Sequence, residues 1–416
     1  MGLDAAGNIY LGGHVVKEEA FSYDFFTIKF NAAGVYQWHQ LYNGTANGVD
    51  FAVDFAVDAA GNVYITGESA GRVIIKNFVF NSLTDFATLK YNSAGVQQWV
   101  ARYSVQATNS FDKPVAMTLD ASGNVYVTGY STVSGSNNAN CTTVKYNSVG
   151  AQQWAAVFQG PAGREDYSAD VHVDGSGNVF IGGTTINTAG NRDMIVVKYN
   201  PSGVQQWWGP YDVGAGYSES AVKGGIDAYG SFYLTGQTSI PGVTNSDIVT
   251  LKWTTNGVRS WVARYNSPSG ASEHPNDMVV VMPRSDLAGQ FVNANIFVTG
   301  SNEDPLTLKY SQPLVRGLAS EIEPLPNGYA VGNHPNPFKS STNITYELPD
   351  AAHVTINVFD VMGRKVSTLV NGNRSAGSYV QRFTGGKSTS GVYFYQFVVK
   401  SKTGEINTTR SMTIQR

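Results

Sequence analysis

Asp58-Ala59-Ala60-Gly61-Asn62-Val63-Tyr64-Ile65-Thr66-Gly67 returns with small changes along the chain: Asp4 to Gly12, Asp120 to Gly129, Asp174 to Gly182, the weaker Asp227 to Gly236, and Asn295 to Gly300. A phrase that recurs at a fixed period belongs to architecture before it belongs to chemistry. Around it lie two hairpin signals. Phe51 to Val57 alternates apolar and polar residues up to the Asp-x-x-Gly-Asn turn, and Val63 to Gly67 follows it. Phe86 to Tyr91 then leads through Asn92-Ser93-Ala94-Gly95 into Val96 to Tyr103. Alternation bounded by Gly, Asn and Asp predicts strand, turn, strand, so each repeat supplies four strands. Trp38, Trp99, Trp154, Trp207 and Trp261 mark the period, 53 to 61 residues apart. A lone four-stranded sheet leaves both faces wet, whereas blades of a β-propeller bury one another's faces. No repeat shows the spacing of an amphipathic helix, which excludes a helical solenoid.

The composition agrees. With 416 residues, 45 glycines, 23 tyrosines and only 14% charged residues, the chain leans toward many short strands joined by tight turns. No run of about 18 apolar residues predicts a membrane span. Cys141 is the single cysteine, so no internal disulfide or Cys-based zinc ribbon can form, and its strand position reads as a small buried hydrophobe. From residue 333 onward there are 10 Lys/Arg and 4 Asp/Glu; the totals of 28 and 31 leave 18 and 27 for residues 1–332. Regions of opposite charge predict separate domains, and the acidic one argues against a nucleic-acid partner.

The Asp-x-x-Gly-Asn-Val-Tyr-Val-Thr-Gly and Lys-Tyr-Asn-x-x-Gly-x-x-x-Trp phrases resemble the bacterial β-propeller repeat known as the seven-bladed propeller repeat, over about residues 1–310. The resemblance implies an all-β propeller of four-stranded antiparallel blades, with a six- or seven-bladed ring. The chain opens at Met1 already in the tail of a first strand, and the last repeat stops after Leu306 to Tyr310 without its Trp strand. Propellers commonly close by completing one blade from both termini, so a Trp strand is expected upstream of Met1. Two insertions break the period: the stretch from Gly67 to Asp85, with Val73, Ile74, Ile75, Phe78, Val79 and Phe80, and Arg284 to Asn293. Insertions in repeats map to loops, and the first reads either as an extra hairpin packed on the blade edge or as a partner-binding edge.

Residues 311–332 contain Pro313, Pro324, Pro326, Gly317, Gly328 and Gly332 and read as a linker. Beyond it, six short strand signals from Asn343 to Ile414 predict a small immunoglobulin-like β-sandwich over residues 333–416. This tail resembles the type A C-terminal sorting domain of the type IX secretion system. The match rests on His334-Pro335-Asn336-Pro337-Phe338, Thr345 to Pro349, Val358 to Gly363, Ala376-Gly377-Ser378-Tyr379, Ser390-Gly391-Val392-Tyr393-Phe394-Tyr395 and Arg410-Ser411-Met412. Family members often have Tyr where His334 stands. The resemblance implies export across the outer membrane of a Bacteroidota-like bacterium, with the type IX machinery as partner of residues 333–416. Such cargo carries a signal peptide; none is visible, a second pointer to sequence upstream of Met1.

Motifs with a chemical look resolve into architecture. Gly67-Glu68-Ser69-Ala70-Gly71 fits the hydrolase G-x-S-x-G pattern but follows a strand within a blade. His14, His39, His172, His274, His334 and His353 share no ligand spacing and read as surface or packed residues. The Asp-x-x-Gly-Asn turn has too few oxygen ligands for a calcium loop. Sialidase chemistry would want an Arg cluster and a Ser-x-Asp-x-Gly-x-x-Trp turn, neither of which is evident.

Stacking the repeats brings out another pattern. Eight residues before each turn Asp stands an acid: Asp50, Asp112, Asp166 and Glu219, with Glu273 at a similar place. The third strand opens with Asp24, Asp85, Asp193, Asp247 and Asp304, where Asn140 stands in once. First and third strands run the same way, so both sets are expected at one face, with Lys29, Lys90, Lys145, Lys198, Lys252 and Lys309 toward the other. Either the acids cap loops and the lysines tie neighbouring blades or turns, or the acids form a face for Ca²⁺ or a basic ligand. The Trp residues read as inter-blade core rather than a carbohydrate platform. The functional expectation is an exported surface propeller that binds, adheres or scaffolds through an unknown glycan or protein ligand. The alternative is an extracellular hydrolase or lyase with its site in the propeller channel or in an upstream region. An enzyme would focus dissimilar polar residues of several blades on one pocket; repeated positions read as scaffold.

Overall fold

The computed structural model describes all residues except 18–21, 77–78, 106–109, 134–137, 215, 240–244, 268–270, 283–291, 303, 315–322, 325–328, 335, 386–389, 403 and 416. Among the described residues every regular element is a β-strand, and no helix is long and apolar enough to cross a membrane. Two compact units divide the chain, Met1–Gly224 and Gly225–Arg416.

The predicted blades are present as antiparallel sheets with strands in chain order. The first is Gly2–Leu3, Ile9–Lys17, Ser22–Phe30 and Tyr36–Tyr42; the second Asp50–Val57, Val63–Lys76, Val79–Tyr91 and Gln97–Tyr103. The third is Ser110–Leu119, Val125–Val133, Ala139–Tyr146 and Gln152–Phe158; the fourth Asp166–Val173, Val179–Ile186, Arg192–Tyr199 and Gln205–Tyr211. The fifth is Ser218–Ile226, Phe232–Ser239, Ser246–Trp253 and Arg259–Tyr265, and the sixth has three strands, His274–Val281, Val292–Asn302 and Asp304–Leu314. The insertion after Gly67 prolongs the second and third strands into a hairpin that reaches Lys76 opposite Val79; its side chains from 72 to 82 lie outside the described residues, as does most of the Arg284 to Asn293 stretch.

Hydrophobic cores form between successive blades. Tyr10 and Phe25 of the first pack with Val63, Ile65, Ala87, Leu89 and Tyr91 of the second, and the pattern repeats onward. A forward-reaching tie locks each junction of the first unit. Trp38 Nε1 donates to the Ser93 carbonyl at 3.1 Å, Trp99 to Ser148 at 3.2 Å and Trp154 to Pro201 at 3.1 Å. Lys29, Lys90 and Lys145 donate to those same carbonyls at 2.9, 3.5 and 3.5 Å while lying about 5.0 Å over Tyr10, Tyr64 and Tyr126. The Trp residues are therefore inter-blade core, and these lysines tie blade to turn.

The turns behave as their chemistry dictates. Asp58 Oδ1 accepts from the amides of Ala60 and Asn62, and Oδ2 accepts from Asn62 Nδ2 and Tyr64 Oη, which engages both oxygens within the hairpin. Gly67 has a different role from the turn glycine beside it. A β-bulge between Ala52 and Asp54 brings the first strand so close that a Cβ on Gly67 would lie 2.2 Å from the Phe51 carbonyl oxygen. A Cβ on Gly129, Gly183 or Gly300 would meet the equivalent carbonyl oxygen, that of Lys113, Tyr167 or His274, at 2.0, 2.5 and 2.4 Å. A glycine in a strand often marks such a bulge or close backbone approach.

In the tail, the sheet Glu323–Pro324, Ala330–His334, Ser341–Leu348, Gly377–Thr384 and the sheet Lys365–Arg374, Ala352–Asp360, Gly391–Ser401, Gly404–Ile414 enclose one core that includes Val331, Phe338, Ile344, Ile356, Phe397 and Met412. Parts of the Pro/Gly stretch are paired, Ser311 to Leu314 with the sixth blade and Glu323–Pro324 with the tail.

A glycine pair separates turn strain from the Trp contact. Gly34 (φ +78°) faces open space, whereas a Cβ on Gly95 (φ +81°) would come within 2.7 Å of Trp38. Both Gly→Ala changes should cost roughly 1–2 kcal/mol for the left-handed backbone. Gly95→Ala should cost about 1–3 kcal/mol more for the clash. Urea unfolding of both variants checks the difference; equal losses would show that the Trp tie carries no weight.

Candidate functional site

The two predicted sets of acids do come together, in rows with a hydroxyl between them. Cross-strand register places Ser69 opposite both Asp50 and Asp85, Ser131 opposite Asp112 and Asn140, and Thr185 opposite Asp166 and Asp193. The hydroxyl stands two residues after the phrase glycine, so Ser69 belongs to the middle of a strand and not to a nucleophile elbow. In the other blades Asp24 lies opposite Val15, Asp247 opposite Thr238 and Asp304 opposite Asn302.

Most first-strand acids cap the loop that crosses from the preceding blade. Asp50 Oδ2 accepts from the Gly44 amide and Asp166 Oδ2 from the Gly160 amide, both at 2.7 Å. Asp112 Oδ1 accepts from the Val105 amide at 3.3 Å, and Glu273 Oε1 from the Ser267 amide at 3.0 Å. Asp24, Asp50, Asp112, Asp166, Glu219 and Glu273 are all essentially inaccessible to solvent. Burial raises the carboxyl pKa of Asp50, Asp112 and Asp166 against the lowering pull of neighbouring amide and hydroxyl donors.

The third-strand acids differ between blades. Arg102 clamps Asp85 at 2.9 Å and also donates to Ser69 Oγ at 2.6 Å. Arg264 lowers the pKa of Asp247, although burial, then Glu273, leave it raised. The fourth blade has Pro210 where those two have arginine, and Asp212 stands nearby. One oxygen each of Asp193, Asp212 and Glu219 lies within 4.8 Å of the others. Asn187 Nδ2 holds Asp193 at 3.0 and 3.2 Å, and burial, with Asp212 also contributing, raises the Asp193 pKa. An all-carboxylate set offers the hard oxygen donors that Ca²⁺ takes, with Asp212 exposed on the solvent side. Asp212 was not singled out from the sequence because no other repeat marks that position.

A second group lies on the inner strands, where sequence reasoning saw nothing. The residue after each bulge is Asp54, Ala116 or Asp170, and Lys223 stands at the equivalent place in the fifth repeat. Asp54 Oδ2 accepts from the Met117 amide of the next blade at 2.7 Å, and Asp170 Oδ2 from the Gly224 amide at 2.9 Å. The same Asp170 oxygen meets His172 Nε2 at 3.2 Å and Lys223 Nζ at 3.3 Å. His172 and Lys223 lower the Asp170 pKa despite its burial. The other described histidine side chains have packing or local partners: His14 on Phe51, His39 with Tyr36, His274 with Gln237, and His353 with Asn371 and Asn373. Cys141 is buried as expected, and burial pushes its thiol up to about 12.

The sorting phrases of the tail hold its seams. Asn336 exchanges hydrogen bonds with Ser411 and Thr413, and Phe338 is buried and bridges to Ile414. Gly363 turns with φ +75°, Gly377 and Gly391 take φ +144° and +151°, and Tyr379 donates to the Ser375 carbonyl. Tyr393 is buried beside half-buried Phe394; Pro337 is exposed, and Pro335 lies outside the described residues.

Residues 334–414 match the secretion system C-terminal sorting domain, and residues 37–72 match the Beta-propeller repeat. The sorting domain indicates export to the cell surface or secretion. No curated protein matches the chain. Among solved structures, PorZ of Porphyromonas gingivalis, described as an essential surface component of the type-IX secretion system, is similar over 100% of this chain at 12% identity and a TM-score of 0.40; the chain covers 59% of PorZ. The calcium-binding protein regucalcin of Agrobacterium tumefaciens is similar over 72% of this chain and 87% of its own, at 11% identity and a TM-score of 0.36. A Dyadobacter fermentans protein of unknown function is similar over 91% of this chain and 99% of its own, at 9% and 0.38.

The buried carboxyls predict opposite pH slopes. Asp166 has a raised folded pKa, so its favourable contribution is present below the unfolded value of about 3.8 and is lost as pH rises. Asp170 has a lowered one, so its contribution is present above that value and is lost as pH falls. The Tm of Asp166→Asn relative to the parent chain should therefore climb from about pH 4 toward 7, while that of Asp170→Asn should fall as pH rises toward about 4 and stay nearly level above it. Melting curves on both sides of pH 4 check both signs.

Proposed function

We propose that this exported β-propeller, delivered by its type IX sorting domain, acts at the cell surface or outside the cell as a non-catalytic module that binds, adheres or scaffolds. The observation that carries the reading is the use of its repeated polar groups. Acids cap crossover loops, turn aspartates close hairpins, and lysines with tryptophans tie each blade to the next turn. A chain so organised offers a stiff frame whose exceptions are the places for a ligand. The hydrolase or lyase alternative draws on one observation, the Asp170–His172 pair, since a carboxylate orienting an imidazole is also general-base geometry. Against it, both Asp170 oxygens are engaged by amides, Oδ1 by Val171 and Oδ2 by Gly224, which makes this carboxylate a strand tie first.

Ca²⁺ fits the fourth blade within this reading. Asp193, Asp212 and Glu219 would supply three oxygens, and water or carbonyl groups the rest of the usual six to eight. Bound there, the ion would offset the like-charge crowding of the three carboxylates.

Two measurements test these statements. Millimolar calcium should raise the Tm of the full chain, by an amount that shrinks in Asp212→Asn; no shift in the parent chain would remove the ion from the account. Labelled full chain should adsorb saturably to extracellular polysaccharide of its own bacterium and leave that polymer intact over hours. Progressive release of soluble fragments would instead establish the hydrolase or lyase alternative.

A further inference from the structure

Along the repeats, the third-strand acid and an outer-strand arginine come and go together. The arginine stands three residues after the marker tryptophan. Asp85 has Arg102 and Asp247 has Arg264; where Asn140 replaces the acid, Val157 replaces the arginine. Asp193 breaks the rule, since the acid is kept while Pro210 stands at the arginine position. Asp24 also lacks an arginine, with Leu41 at that place, but it lies opposite Val15 and has no hydroxyl between strands to go with it. Among the described residues, the fourth blade alone keeps the acids and the hydroxyl of the row without the cation that answers them elsewhere.

The second blade shows what such a row holds. The Arg102 guanidinium donates through Nε and Nη2 to Asp85 Oδ2 at 3.2 and 2.9 Å, through Nη1 to Ser69 Oγ at 2.6 Å and through Nη2 to the Ser69 carbonyl at 3.0 Å. A Cβ on Gly44 of the crossover loop would lie 2.4 Å from Ser69 Oγ, 2.7 Å from Asp50 Oδ1 and 3.3 Å from Arg102 Nη1. The fourth blade repeats this frame without the nitrogen. A Cβ on Gly160 would lie 2.4 Å from Thr185 Oγ1 and 2.7 Å from Asp166 Oδ1, and the next nearest contact, at 3.5 Å, is the Asp166 carboxyl carbon itself. Thr185 is 4% exposed, and where Ser69 Oγ accepts from Arg102, Thr185 Oγ1 accepts no hydrogen bond among the described residues. Asn187, at the place of Gly71, gives Asp193 an amide but no charge. Burial raises the carboxyl pKa of Asp50, Asp166 and Asp193, yet Arg102 draws that of Asp50 back down, whereas Glu165 and Asp212 push those of Asp166 and Asp193 further up.

The acceptors decide the ligand class. A carboxylate beside a hydroxyl with an unused acceptor suits a cation with several N–H groups in one plane. A guanidinium has that fork and meets both acceptors at once, whereas an ammonium is a point charge. The place opens to solvent: Arg102 is 24% exposed in its own cradle, and Pro210 and Asp212 of the fourth blade are exposed. From this we infer that Asp193 and Thr185, with Asp166 behind them, form a socket for a guanidinium group, the arginine side chain of another polypeptide, in the place that Arg102 fills within the second blade. The inference rests on the binding reading above and names the chemistry of the partner.

Isothermal titration of the full chain, in EDTA, with acetyl-Gly-Arg-Gly-amide and acetyl-Gly-Lys-Gly-amide, which carry equal charge, tests it. The arginine peptide should bind about tenfold more tightly than the lysine peptide. Pro210→Arg, which supplies the guanidinium from within, should abolish that binding and raise the calcium-free Tm. Thr185→Val should weaken it about tenfold. If Pro210→Arg does not fold, Thr185→Val decides alone. Equal binding of the two peptides, binding of neither, or undiminished binding in either variant overturns the socket. Calcium and the guanidinium would share Asp193, and EDTA keeps the two apart. The calcium titration and the adsorption to bacterial polymer therefore stand or fall by their own results.

Discussion

The repeat depends on a close approach. At Gly67, Gly129, Gly183 and Gly300 the bulged first strand lies so near the second that no side chain fits between them. The bulge shifts the register by one residue, and the residue after it turns to the inner side, where Asp54 and Asp170 reach the backbone of the following blade. A single absent Cβ thereby fixes strand spacing within a blade and places the group that links it to its neighbour. A larger residue there would disturb the sheet and the inner lining together.

Charge is handled blade by blade. Where the third strand carries Asp85 or Asp247, an arginine from the outer strand answers it. In the fourth blade the arginine gives way to Pro210 and another carboxylate, Asp212, joins instead. The inner side has its own exception in Lys223 beside Asp170. Both departures fall in the fourth repeat or just past it, so the most regular architecture of the chain ends where its least regular chemistry begins.

Most of the fold was legible because its causes are local. Asp58 to Gly67 announces its own turn, and the alternation around it announces its strands. Trp99 and Lys90 could be assigned to blade junctions because their recurrence at one phase has no other economical explanation. The acids at Asp50 and Asp85 were legible as one row through strand direction alone; Ser69 between them was not, since a hydroxyl draws notice only once register is known. Gly67 read as the end of a strand and nothing more, yet it lies under a bulge of the neighbouring strand, and bulges leave no mark in composition. The group at Asp170, His172 and Lys223 escaped because histidines were judged by ligand spacing, whereas its members meet through neighbouring blades. Stacking the repeats at the position four before each turn aspartate would have exposed it, since variation in a periodic chain is the signal there.

The tie from Trp38, Trp99 and Trp154 runs in one direction, from the outer strand of one blade to the Asn-x-x-Gly turn of the next. Donor and acceptor are thus split across a repeat boundary, and the sequence between them is one whole unit. Gene duplication of a complete unit copies a donor together with a fresh acceptor and leaves every other junction satisfied. Loss or gain of a fraction of a unit strands a donor at one side and an acceptor at the other. The molecule is therefore open to growth by whole blades and closed to piecemeal change at its seams, which leaves the inner strands and the crossover loops as the ground on which its copies could diverge.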